Sequence, residues 1–118
     1  MSTPQSVRTD VGYVTELPGD VGTNGALGPD ATIPSNTLLY TALDSGADTT
    51  ITLPDARTNN GQPLFIDADA TAGAAGAVII QPAGTDALVG GNITVAHAST
   101  EVYLLVAAGT TWTPLQLN

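Results

Sequence analysis

Apolar and polar positions along this chain alternate in short bursts, and no stretch shows the recurrence of a helix face. Near the start, Val7, Thr9, Val11, Tyr13, Thr15 and Leu17 occupy alternate positions, with Arg8, Asp10, Gly12 and Glu16 between them and Val14 out of phase. A period of two puts successive side chains on opposite sides of an extended backbone, which predicts a strand with one sticky and one wet face. Pro4, Pro18, Gly19, Gly22, Gly25, Gly28, Pro29 and Pro34 leave no uninterrupted window for a helix of three turns. Residues 1–34 are therefore expected to be an extended arm, a strand followed by a loose connector. A lone strand cannot bury its own face. It either joins the sheet of its own domain or lies along another protein, with Val7, Val11, Tyr13 and Leu17 as the contacting side chains.

From residue 35 to 118 the pattern predicts one domain of short strands. Apolar-rich segments at 37–43, 49–53, 63–67, 77–81, 87–89, 92–96, 100–108 and 111–117 are separated by turn residues. The separators include Asp44-Ser45-Gly46, Pro54-Asp55, Asn59-Asn60-Gly61, Pro82-Ala83-Gly84, Gly90-Gly91 and Gly109. Short strands at roughly 8–12-residue spacing point to an all-β sandwich or barrel. Segment 100–108 is apolar on both sides: Val102, Leu104 and Val106 alternate with Tyr103, Leu105 and Ala107. A strand of that kind is expected to be covered on both faces, one by the core and the other by an extension of the second sheet or by a symmetry mate.

Composition sharpens this. Of 118 residues, 42% are hydrophobic but only 4% aromatic, so small aliphatics carry the interior. Ordering a chain costs about 1–2 kcal/mol per residue, and burial returns about 25 cal/mol per Å². Thin side chains leave little margin, which predicts that neighbouring copies complete the burial. Eleven acidic against two basic residues give a net charge of −9. Arg8 and Arg57 cannot form the cationic track that nucleic acid requires, and an anionic membrane surface would repel the chain. Without Cys there is no disulfide frame and no thiolate chemistry. Residues 1–13 have no apolar signal core, so neither a secretory signal nor a spanning helix is expected.

Candidate chemistry is sparse. His97 is the only histidine; it is expected at a turn or on the surface, since a metal site would need carboxylates for every other ligand. A serine triad would have to combine that same histidine with Ser2, Ser6, Ser35, Ser45 or Ser99, and no Gly-x-Ser-x-Gly elbow is present. Asp67-Ala68-Asp69 could hold Ca²⁺ but lacks the remaining ligands of a calcium loop. Asp44 and Asp48 bracket a turn, where Asp commonly bonds backbone. Gly90-Gly91 reads as a tight turn rather than a phosphate cradle, and Asn92-Ile93-Thr94 as the start of a strand. No catalytic residue, cofactor or metal is expected.

Residues 49–115, slightly over half of the chain, resemble a small β domain that recurs in tailed-phage fibres, spikes and capsid decoration proteins. The likeness rests on Thr52-Leu53-Pro54-Asp55-Ala56, on Gly61 ahead of Phe65-Ile66-Asp67, and on Val78-Ile79-Ile80-Gln81-Pro82-Ala83-Gly84-Thr85-Asp86. Val89-Gly90-Gly91, the apolar strand 101–108 and Gly109-Thr110-Thr111-Trp112 complete it; the chain departs from the pattern at Pro114-Leu115. The resemblance implies a compact antiparallel β-sandwich or barrel, jelly-roll- or tulip-like, that is trimeric and has no enzymatic activity. Fibres are generally longer, with shaft repeats, so one domain with one arm looks more like a decoration or cement protein. Such a protein binds the major capsid protein through its arm and projects its knob from the outer capsid surface of the virion. Tyr103, Leu105 and Trp112 are the residues expected at the homotrimer interface. The alternative is a tail-fibre or receptor-binding subunit that recognises host glycans. A small glycan hydrolase is disfavoured by the lack of aromatic rings to stack a sugar.

Overall fold

The expected succession of short strands is present, but most of its members do not pair with their neighbours in sequence. The computed structural model describes residues 5–8, 14–17, 19–25 and 27–118. Strands β1 (Gln5–Arg8) and β2 (Val14–Leu17) pair antiparallel with each other, Gln5 opposite Leu17 and Arg8 opposite Val14. The other strands form two sheets. The larger contains β3 (Asp20–Thr23), β5 (Thr37–Leu43), β7 (Pro63–Asp69), β9 (Ala87–Leu88), β11 (Thr100–Ala108) and β12 (Thr111–Gln116), in the spatial order β3-β5-β7-β11-β12-β9. The smaller contains β4 (Ala31–Thr32), β6 (Thr49–Thr52), β8 (Val78–Gln81) and β10 (Ile93–Val95), in the order β10-β8-β6-β4.

From β3 to β10 the chain enters the larger and the smaller sheet in strict turn. Consecutive strands of one sheet are thus separated by a strand of the other, which brings the chain back to its starting end. As far as β8 these successive strands therefore run parallel, whereas β10 enters its sheet antiparallel to β8. A tight hairpin can join only antiparallel partners, and parallel ones need a crossover; here a strand of the opposite sheet is the crossover, where many folds use a helix. Accordingly β3, β5 and β7 are mutually parallel, as are β4, β6 and β8. Antiparallel pairing in the two sheets is confined to β7–β11–β12 and β8–β10. The sheets are mixed, which corrects the expectation of an antiparallel domain: most short turns switch sheets instead of closing hairpins.

The arm is also shorter than expected. β3 lies parallel to β5 and β4 parallel to β6, so residues within the supposed connector are strands of the two sheets. Ile33, which follows, is 1% exposed and its amide donates to the Thr52 carbonyl at 2.8 Å. Asn24 fastens the link between them. Its Nδ2 donates to the carbonyls of Leu43 (2.8 Å) and Pro29 (3.0 Å), and its Oδ1 accepts from the Leu43 amide at 2.9 Å. Such side-chain bonds do for an irregular segment what ladder bonds do for a strand. Among the described strands, β1 and β2 alone belong to neither sheet.

Both sheets supply side chains to one core. Ile51, Val78, Ile80 and Val95 come from the smaller; Tyr40, Leu64, Ile66, Leu88, Tyr103, Leu105 and Trp112 come from the larger. A single turn of 3-10 helix, Ala56–Asn59, joins β6 to β7. Asp55 caps it, its Oδ1 accepting from the Arg57 amide at 3.0 Å, and Ala56 is fully buried.

Candidate functional site: the outer face of the larger sheet

Residues two apart on a strand share a face, and residues in register on adjacent strands extend that face sideways about 4.8 Å at a time. On the larger sheet the register aligns Val21, Leu39, Phe65, Leu104 and Leu115 across five neighbouring strands. All five are apolar, and all lie on the face turned away from the core. Val21 is 68% and Leu115 58% exposed; Leu39 is exposed, Phe65 and Leu104 half-buried. On one side runs the row Pro63–Val106–Thr113, and on the other Thr41–Asp67–Val102. Leu117 continues the latter, its amide donating to the Val102 carbonyl at 2.8 Å, and is itself exposed. The outer face of the smaller sheet is different in kind. It presents Thr32, Thr52 and Gln81 in one row and Thr50, Ile79 and Thr94 in the next, with Gln81 Nε2 donating to Thr52 Oγ1 at 3.0 Å. Hydroxyls and an amide of that sort are well served by water.

The side chains expected at an oligomer interface are elsewhere. Leu105 and Trp112 have no exposed surface and Tyr103 almost none; they pack in the core of a single chain. The Trp112 indole N–H donates to the Pro54 carbonyl at 3.2 Å, so even its polar atom is satisfied internally. Both faces of β11 are apolar, and the one turned inward is Tyr103–Leu105–Ala107. The outward face is Val102–Leu104–Val106, half-buried at the first two and exposed at Val106. Of the residues expected on the arm, Val7 belongs to β1 and Leu17 to β2, while Val11 and Tyr13 lie outside the described residues. The single strand expected there is a two-stranded ribbon.

The ionisable groups serve the scaffold. Asp44 is buried, and its carboxylate accepts from the amides of Gly46 and Gly73, each at 3.1 Å. Burial alone would raise its pKa, but amide donors at Gly73, Gly46, Ala72 and Asp44 itself overcome this and hold the carboxyl below its ordinary value. Asp48 Oδ1 accepts from the Ala77 amide at 3.0 Å. The two carboxylates thus clamp the loop after β7 onto the turn after β5, a cross-loop role beyond the local turn bonding expected of them. Gly73 fits there because a Cβ would lie 2.4 Å from Gly46 backbone atoms. Tyr103 donates its hydroxyl proton to Glu101; burial, that bond and the Glu101 charge push its phenol up to about 12. Burial also raises Tyr40.

Asp69 is engaged with its own turn, accepting from the Thr71 amide at 2.9 Å. His97 is exposed, next to Ala98 with φ 69°. Gly90 and Gly91 have φ of 87° and 81°, the left-handed region that the tight turn between β9 and β10 requires. Among the described residues no three His, Cys, Asp or Glu side chains are grouped to hold a metal ion, and no helix is long and apolar enough to cross a membrane. Comparison with protein-family models, with curated proteins and with solved structures gives no match.

Proposed function

We propose that this chain is a non-enzymatic virion structural protein. In this reading it is a capsid decoration protein that binds the outer surface of the major capsid protein shell as a homotrimer and stabilises it. Its body is a β-sandwich knob, and its attachment element is the β1–β2 ribbon. The observation that carries the reading is that, among the described residues, the two strands of this ribbon pair with each other and with no strand of either sheet of the body. An isolated two-stranded ribbon is marginal in water, so it gains most by lying against another surface. Adding strands to a neighbour's sheet edge supplies main-chain hydrogen bonds without any pocket.

Three further features support the reading. The resemblance at 49–115 points to the same class of protein. The buried side chains are spent on the core, and the carboxylates named above on fastening loops. The acidic excess suits a protein facing solvent, away from packaged nucleic acid.

The test is co-sedimentation with capsid shells stripped of this protein. Full-length chain is expected to bind and to raise the temperature at which the shells open, and a variant lacking residues 1–18 to do neither. Deleting 1–34 is not an equivalent experiment, because it removes β3, β4 and Ile33 from the body. Undiminished shell binding by the shorter deletion would refute the attachment role. Binding to host glycans with no affinity for shells would replace the decoration reading with that of a fibre subunit.

A further inference from the structure

We infer that the outer face of the larger sheet, centred on Val21, Leu39, Phe65, Leu104 and Leu115, is the surface on which copies of this chain pack against each other. The inference deepens the proposed function by giving its self-association a surface, and it rests on that part of the reading alone.

The face has the extent that association needs. Five strands about 4.8 Å apart and outward rows about 6.8 Å apart give the nine apolar positions of the three rows an area on the order of 300 Å². Monomeric proteins seldom expose more than a few hundred Å² of contiguous apolar surface without a use for it. With the polar positions among them the three rows come to roughly 500 Å² per copy, about 1,000 Å² for a pair, the lower end for a specific interface. Sheets with parallel strands are also normally covered on both sides, and among the described residues the outward side chains of β3, β5 and β7 are exposed or half-buried.

Charge selects the occupant. The chain carries −9, so two copies repel unless they meet where carboxylates are few. The rows Val21–Leu115, Pro63–Thr113 and Thr41–Leu117 contain Asp67 as their one acid, and Asp69 lies in the next row at the margin. A basic partner would gain most from carboxylates, which this face scarcely offers. A second acidic chain gains from their absence.

Sedimentation velocity on the full chain tests this. Wild type is expected at a multiple of its 11.8 kDa mass. Val21→Glu and Leu115→Glu, which alter side chains on the surface of the protomer, are expected to sediment as single chains with unchanged circular dichroism. Leu115→Asn repeats the measurement without charge in case glutamate disturbs the fold. Thr94→Glu, on the outer face of the smaller sheet, adds the same charge and is expected to keep the wild-type mass. A wild type that remains a single chain at high concentration overturns the inference. So do row variants that keep the wild-type mass, or a Thr94→Glu that dissociates as readily as they do. Failure of the capsid reading is distinguishable: a multimer that dissociates through Leu115→Glu yet ignores shells removes that reading and sustains this one.

Discussion

Replacing Ile33 by alanine tests whether the segment between the ribbon and β5 belongs to the body. The side chain is 1% exposed, and the Ile33 amide bonds to Thr52 through backbone atoms that the substitution leaves in place. The change therefore isolates side-chain burial. Truncating a buried Ile to Ala costs about 2–5 kcal/mol, and Ile to Val about 0.5–1.5 kcal/mol. Against a total stability on the order of 5–15 kcal/mol, the alanine variant loses a large share and remains measurable. With a urea dependence of about 1–3 kcal/mol per molar for a chain of this size, its unfolding midpoint should fall by roughly 1–3 M. Ile33→Val should shift it by a fraction of that. The assay is equilibrium urea unfolding followed by Trp112 fluorescence at matched protein concentration, because association would otherwise add its own stabilisation. A midpoint for Ile33→Ala indistinguishable from wild type would refute the placement of residues 19–34 in the body. The deletion of residues 1–18 provides the complement, since it should leave the midpoint unchanged.

The pH dependence of two buried groups should separate cleanly. The Asp44 carboxyl is held below its ordinary value, so the stability it contributes is present above about pH 4 and is lost as pH falls through its depressed pKa. Asp44→Asn should consequently lower Tm at pH 7, with the gap to wild type closing on acidification; a gap constant down to pH 2.5 would contradict the clamp. Tyr103 is the opposite case. Its phenol is raised to about 12, so its contribution is complete below about pH 10 and is lost as pH rises toward 12. Spectrophotometric titration should show this phenol ionising late, and Tyr103→Phe should remove that late step while costing about 1 kcal/mol at pH 7 for the lost hydrogen bond. A Tyr103 that ionises near pH 10 in the folded protein would contradict its burial and the Glu101 contact together.

Alternation and turn residues by themselves determined where most strands lie. β5 and β11 cover the expected residues, and β6, β7, β8, β9, β10 and β12 depart from theirs by at most two positions at either end. That information is local: a period of two and a glycine or proline stop act within a few residues. Partnership is not local. No short-range signal distinguishes a turn that closes a hairpin from one that carries the chain to the opposite sheet, so the parallel pairing of β3, β5 and β7 became visible only in the tertiary structure. β3 and β4, four and two residues long among glycines and prolines, are too short to show a period; the long-range ladders to β5 and β6 hold them in place. β11 shows the limit most plainly. With both faces apolar, either could have met the core, and a one-residue slip would have exchanged them. Leu64 and Ile66 on β7, in register with Leu105 and Tyr103 and buried with them, decided which face went inward. The other face was left to solvent, or to a second chain.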